Sequence, residues 1–494
     1  MNHSNYSDYK DATALNDLPV DHDALSTPPS GDHVALSTPP SAEAELPPRK
    51  FLWLIPLAPH VHPIKLLAFI ISTFAGLALI VYLSMSQTYV LTTILAISAN
   101  TGDITGSLAL YGEIVSVIAV VLWGVVSDRV QKRTIITFSL MLMGIVNIAY
   151  PHVKDVYPDM LMLKLIFSAG TAGMTAMMAA MMMEVVHGSG GYVAALIGAS
   201  CGLGAVFAAL FLGRTHVLLA HKLGYANDGI ILSFSTVGAC TIFVAFLLWF
   251  FMPGRPPASY YTNGVPPRRE NFFKRLYIGF KAAKEPRIAL GFVTSFFARA
   301  DEIIITNFIT LWINQYYIDQ GTCQVGRPCY QAMGTSSTLT GISQAVALVS
   351  TPFFGAASEH FPREFAVVAA GIIGACGCIP FAFSIDPTSN ACMAFVVLLA
   401  IGQFGMITSG MALINGPYVA PEHRGSVAGA YSFCGAIGII IISKIGGVLF
   451  DKWMKGAPFL LLGIGHCIVT VLCIIEYAAR LFKERRQRRA LQQL

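Results

Sequence analysis

Arg299-Ala300-Asp301-Glu302 puts three charges inside the otherwise apolar stretch 288–314. Counted as a helix from Ile288, Arg299 lies about 16 Å along, near the middle of a segment long enough to cross a bilayer. Charges at that depth are costly unless they face a cavity or a partner. Arg299 and Glu302 are i,i+3 neighbours and can pair, whereas Asp301 points elsewhere and reads as the freer group. A carboxylate in such surroundings suits reversible binding of a proton. Asn307 follows on a nearby face, and Glu113 sits inside a second apolar stretch, 107–126. Gln344, Gln403 and Asn415 can add hydrogen bonds to a cavity, while Lys164 and Lys444 fall near the ends of their stretches and read as interfacial. Two blander readings stay open: a purely structural Arg–Glu pair, or a stretch that begins later and leaves these charges at the membrane surface. Glu113 is close enough to one end to snorkel.

The same inventory excludes several classes. The chain has no Gly-rich loop ending in Gly-Lys-Ser/Thr, so ATP-driven pumping is unsupported. Its histidines form no metal-ligand pattern along any one helix, and no catalytic constellation or cofactor motif emerges. Nothing points to nucleic acid.

The positioning elements follow from composition. Of 494 residues, 55% are hydrophobic and 12% charged, against roughly 25% charged in a typical soluble chain. Apolar runs of spanning length recur at 66–91, 107–126, 134–151, 160–183, 193–214, 230–252, 288–314, 335–356, 365–385, 391–416, 425–450 and 456–480. The expected class is an all-α membrane protein with about twelve transmembrane helices. Lys and Arg fall mostly on the side that holds both termini, which makes that side cytoplasmic. Plasma membrane is the favoured location, with a vacuolar or other organelle membrane as the alternative.

Residues 1–63 form a polar, Pro-rich tail expected to be disordered. It repeats Asp21–Ser30 as Asp32–Ser41, and Thr27-Pro28 and Thr38-Pro39 fit proline-directed phosphorylation or a neutral duplication. A basic linker, 253–287, separates a first six-helix half, 64–252, from a second, 288–480, and a basic tail follows at 481–494. Within the linker, Phe272, Phe273, Leu276 and Phe280 recur at helical spacing among Lys and Arg. That pattern suits a helix lying on anionic lipid, or an ordinary basic connection. Cys323 and Cys329 share a polar loop where a disulfide is possible.

Two charged runs carry a further signal. Gly124-Val125-Val126-Ser127-Asp128-Arg129-Val130-Gln131-Lys132-Arg133 directly follows a span, and Gly355–Glu364 echoes it at a fixed offset, with Glu359 in the place of Asp128. The first run resembles the loop between helices 2 and 3 of major facilitator superfamily transporters. Pro421-Glu422-His423-Arg424-Gly425 resembles the start of helix 11 in that family, and Gly446-Gly447-Val448-Leu449 its glycine pair. The match departs where Gln131 replaces the second glycine of the loop motif and where span 5 lacks the proline typical of drug/proton antiporters.

The resemblance implies two pseudo-symmetric six-helix bundles that alternate around a central cavity. It implies that Asp128 meets the helix start near Arg424 and Gly425 to close the inner side, with Gly124, Arg129, Arg133 and Glu359 completing the gate. The expected activity is secondary transport of a small organic solute, coupled to protons in one version, by a monomer among membrane lipids. Uptake and efflux are equally open. A non-transporting receptor or scaffold of the same fold is the alternative.

Overall fold

The computed structural model describes residues 61–185, 190–223, 226–254, 272–416, 418–420 and 423–492, plus a two-residue antiparallel pairing of Lys50–Phe51 with Ile55–Pro56. The repeat-bearing tail, most of the linker, Pro421 and Glu422 lie outside the described residues.

Helices follow directly from the apolar runs, because a backbone in hydrocarbon must satisfy its own hydrogen bonds. The first six spans are α1 (Pro63–Tyr89, continuing as a π turn to Ile94), α2 (Thr101–Arg129), α3 (Lys132–Ala149), α4 (Leu161–Val185), α5 (Gly190–Phe207) running through a π turn into α6 (Gly213–Leu223), and α7 (Ala226–Phe251). The short α8 (Phe272–Lys281) precedes α9 (Pro286–Asp319), α10 (Tyr330–His360), α11 (Arg363–Ala382), α12 (Asn390–Ile414), α13 (Arg424–Lys452) and α14 (Ala457–Gln492).

Eleven helices among the described residues are long and apolar enough to cross a membrane. At 34 residues, α9 is long enough to be the twelfth, but it carries Arg299, Asp301 and Glu302 in its middle. The last helix runs past the expected end at 480 to Gln492. Its Glu, Lys, Arg, Gln and Ala residues are strong helix formers, and the basic ones suit a helix C-terminus.

α3 packs on α4 and α7, α1 on α5, and α2 on α4. Later in the chain α11 packs on α12 and α14, while α9 lies against α12, α13 and α14. Contacts of α2 with α13 and α9, of α5 and α6 with α10, and of α1 with α9 join the two sets. They form a seam with two ends. The latch end carries the α1–α2 turn, and the motif end carries Gly124–Arg133. Small residues let the backbones approach closely. A Cβ built on Gly438 of α13 would run into the Phe296 carbonyl of α9.

Candidate functional site

Successive residues of an α-helix are turned by about 100°, so positions 299 and 302 share a face and 301 does not. Arg299 Nη1 lies 3.7 Å from Glu302 Oε2, and the side chains are 46% and 26% exposed. Both are therefore partly exposed. The Arg299 stem passes Gly435 of α13, where a Cβ would lie 3.0 Å from Arg299 Cβ. From α2, Glu113 feels the charges of both Arg299 and Glu302, and Cys201 of α5 feels Glu302. Two acids and a guanidinium thus lie within electrostatic reach of one another, one acid on α2 and the ion pair on α9. Lys164 of α4 brings its stem beside Gly112, the residue before Glu113, with Lys164 Cε 3.8 Å from a Cβ built there.

Asp301 departs from expectation. It is not the freer carboxylate: it is 1% exposed, and its Oδ2 lies 3.0 Å from Nε2 of His466 on α14, which is itself fully buried. The helical turn that leaves Arg299 and Glu302 partly exposed sends Asp301 into the core behind them. Asn307 is also buried and donates from Nδ2 to the Ile303 carbonyl at 2.9 Å. Gln344 and Gln403 are buried too, and neither amide atom of Gln403 has a hydrogen-bond partner among the described residues. Asn415 closes α12 by donating to the Met411 carbonyl.

The latch end is closed by Lys444, which reads from sequence as interfacial, together with two acids, Asp103 and Asp451, that the sequence does not single out. Lys444 of α13 pairs with Asp103 of α2, and its Nζ lies 2.8 Å from Ser107 Oγ. Asp451, at the end of α13, accepts from the backbone N–H groups of Gly102 (3.0 Å) and Asp103 (2.7 Å). It thereby caps the first turn of α2, where unsatisfied donors and the helix dipole both favour an anion. The backbones almost touch: a Cβ on Gly102 would lie 2.7 Å from the Gly447 carbonyl, and one on Gly106 would run into that of Ser443. Arg214 donates to Thr338 (3.2 Å), and Asn314 donates to Thr92 (3.1 Å). A disulfide joins Cys323 to Cys329, with Cα atoms 5.5 Å apart, and the amide of Gly326 within that loop donates to the Thr92 carbonyl at 3.0 Å.

The motif end has a different character. Asp128, Arg129, Arg424 and Gly425 are exposed. A Cβ built on Gly429 meets nothing within 4 Å among the described residues, and one on Gly425 meets Arg275 of α8 alone, at 3.2 Å. Gly124, Asp128 and Arg129 all have interaction partners, and Arg133 lies over the Trp249 ring at 5.8 Å. Glu359 closes α10 and lines a hollow of about 540 Å³ with Arg287, Arg363 and Arg480. In that hollow Arg480 pairs with the buried Glu364 at 3.0 Å, and Arg287 stacks on the Tyr418 ring at 3.9 Å. Tyr418 lies in the loop before α13, and burial pushes its phenol up to about 12.

A signal for the latch was present in the sequence: acids at 103 and 451, a lysine at 444, and glycines at 102, 106 and 447, all near the ends of two spans. Depth along one helix places such residues at an interface and does not name their partner on another.

Residues 66–443 and, in an overlapping second match, 330–492 fit the model of the Major Facilitator Superfamily. The magnetosome protein MamH of Paramagnetospirillum magneticum is 34% identical over 199 residues, 40% of this chain and 44% of that protein. The magnetosome protein MamZ of Magnetospirillum gryphiswaldense is 27% identical over 188 residues, 38% of this chain and 28% of that one. The chain thus spans less than half the length of the curated relatives it matches. Among solved structures, the nucleoside transporter NupG superposes with a TM-score of 0.61 at 15% identity, covering 84% of this chain and 99% of the other. An inward-facing, occupied bacterial homolog of the human lysosomal transporter Spinster superposes at 0.59 and 15%, covering 85% and 96%. At these identities the likeness is one of fold.

Proposed function

We propose that this chain, which belongs to the major facilitator superfamily, is a secondary transporter that moves a small organic solute by alternating access. Fold and family support membrane transport itself, and the all-helical architecture supports a multi-pass membrane protein. One observation carries the finer reading: Glu113 of α2 lies within electrostatic reach of the Arg299–Glu302 pair of α9, while Asp451 holds α13 to α2 at the latch end. Charges held between two sets of helices suit a polar solute better than lipid, and they offer it both signs.

In this reading the charge distribution along the sequence places the latch end outside, with both termini in the cytoplasm, so the conformation faces inward. Asp128 then serves the opposite phase of the cycle, meeting the start of α13 when the motif end closes. The monomer is the functional unit. Its α8 lies along the inner leaflet, with exposed Phe273 and Tyr277 beside Lys281.

A cysteine-accessibility series tests the reading. Single cysteines at Thr105, near the latch end, and at Gly429, near the motif end, should label reciprocally as conditions change. Labels that never change at either end would favour the receptor or scaffold alternative and end the transport reading.

A further inference from the structure

The α1–α2 turn, residues 95–100, is gripped by the second set of helices from two sides. The carbonyls at the end of a helix have no partner within it. At the end of α1 the Thr92 carbonyl accepts from the amide of Gly326 at 3.0 Å, and Thr92 Oγ1 accepts from Asn314 at 3.1 Å. A Cβ built on Gly326 would lie 3.5 Å from that of Ala96, so the same glycine also rests on the turn. On the other side Asp451 caps the start of α2. The backbone between these grips is not relaxed: Ala96 and Asn100 have φ of 52° and 55°, a region unfavourable for alanine. Such a conformation persists only while its surroundings hold it.

Gly326 is held in turn by a disulfide. Cys323 and Cys329, six residues apart, tie the end of α9 to the start of α10. The amides of Thr322 and Cys323 donate to the Tyr317 carbonyl, both at 3.1 Å, and the Cys329 carbonyl accepts from Met333 at 3.0 Å. Both cysteines are thus anchored to helix ends. Residues 324–328 between them belong to no helix, and within them the Arg327 amide donates to the Gln324 carbonyl at 3.2 Å. At Gly326 φ is 80°, which glycine adopts freely. A cross-link removes conformations from the loop that it closes. Without it, the segment must be ordered afresh each time Gly326 returns to Thr92. Cys323 is partly exposed and Cys329 is buried, so an external thiol reaches the sulfur of Cys323 first.

We infer that Cys323–Cys329 is a redox-modification site that sets the strength of the latch end. Oxidised, it holds residues 324–328 as a strap across the seam onto the α1–α2 turn. Reduced, it frees the turn and favours opening of that end. The co-reactant is a reducing dithiol. One of its thiolates attacks Cys323 Sγ, and the S–S bond breaks with Cys329 Sγ as the leaving group. The second thiol of the reductant then displaces Cys323 Sγ. Two protein thiols form, the reductant closes to its own disulfide, and two electrons and two protons pass in all. The inference rests on the transport reading, in which the latch end faces outside, where disulfides persist.

The test uses the full-length protein in detergent. Cys323→Ser/Cys329→Ser is combined with Thr105→Cys in a background without other reactive cysteines. Labelling at position 105 should rise about fivefold, the effect of losing one backbone hydrogen bond. Gly326→Pro keeps the disulfide but removes the amide that donates to Thr92, so it should give a rise of the same size. The serine pair added to Gly326→Pro should then change labelling by less than about twofold. An unchanged label in the serine pair overturns the strap. A second full rise on top of Gly326→Pro overturns it too, because the disulfide then acts elsewhere. If the serine pair fails to fold, hydrogen exchange on the folded, unmodified protein before and after dithiothreitol gives a second readout. Exchange in residues 90–100 should quicken on reduction, and equal exchange in both states overturns the assignment.

Gly429→Cys separates the strap from the transport reading. A rise at position 105 matched by a fall at position 429 supports both. A rise at 105 with 429 unchanged keeps the strap and removes alternating access. If Asp451→Asn shifts the two labels reciprocally while the serine pair shifts neither, the transport reading stands and the strap is overturned.

Discussion

At one end of the α2–α13 pair the carboxylate of Asp451 caps the first turn of α2. At the other end Asp128, Arg424 and Gly425 are all exposed. The helices run antiparallel, so each brings an acid at its own C-terminus level with the other's N-terminus. An acid is poorly placed beside its own helix C-terminus and well placed beside a neighbouring N-terminus. Each end therefore gains by closing, through the same chemistry with the roles of the two helices exchanged. What differs between the ends is what backs the acid: Gly102, Gly106 and Gly447 give backbone contact at the latch end, while α8 lies against the start of α13 at the motif end.

This comparison can be broken. The largest effect is expected from Ser107→Cys/Lys444→Cys joined by a short bifunctional thiol reagent, in a background without other reactive cysteines. Bridging should abolish labelling changes at Gly429→Cys, and cleavage of the bridge should restore them. Next is Gly106→Val, whose side chain runs into the Ser443 carbonyl. Overpacking costs about 1–3 kcal/mol, so labelling at Thr105→Cys should rise by about fivefold to a hundredfold. A lack of change would mean that the latch end does not part at this seam.

Asp451→Asn comes third. Losing a charged cap is worth about 1 kcal/mol, and latch-end labelling should rise about fivefold. Asp128→Asn should act with the opposite sign and similar size, lowering latch-end labelling by removing the gain from closing the other end. The same sign in both variants would refute the exchange of roles. The smallest change is expected for Lys444→Gln, because its ion pair with Asp103 is more than a third exposed on both sides. Such pairs contribute about 0.2–1 kcal/mol and weaken in salt, so latch-end labelling should rise less than about fivefold, and less still at high salt.

The architecture was legible because hydrocarbon imposes one rule on every span: an apolar run long enough to cross must be a helix. Even α9 was recognisable, since its charges interrupt a run that otherwise qualifies. Within it, the helical turn correctly paired Arg299 with Glu302, because both residues belong to one helix. Asp301 was misread because its partner, His466, stands 165 residues away. Helical periodicity shows that a side chain points elsewhere but does not show what waits there. Lys444 reads from sequence as interfacial, and its partners on α2, Asp103 and Ser107, do not show along one chain. Glu113 was harder still, since its position along α2 does not show that the charges of α9 act on it.

The glycine contacts at the latch end carry a thermal consequence. Gly102 and Gly447 meet backbone to backbone, with the Phe450 ring packed on the same turn, so parting them bares little apolar area beyond that one ring. Heat-capacity changes scale with apolar area brought into water, at about 0.45 cal/K/mol per Å². A seam of this kind opens with little change in heat capacity, and its equilibrium follows a nearly straight van't Hoff line where a hydrophobic closure would curve. Warming or cooling the membrane would then shift the balance between the two ends smoothly, without a temperature at which the protein jams shut.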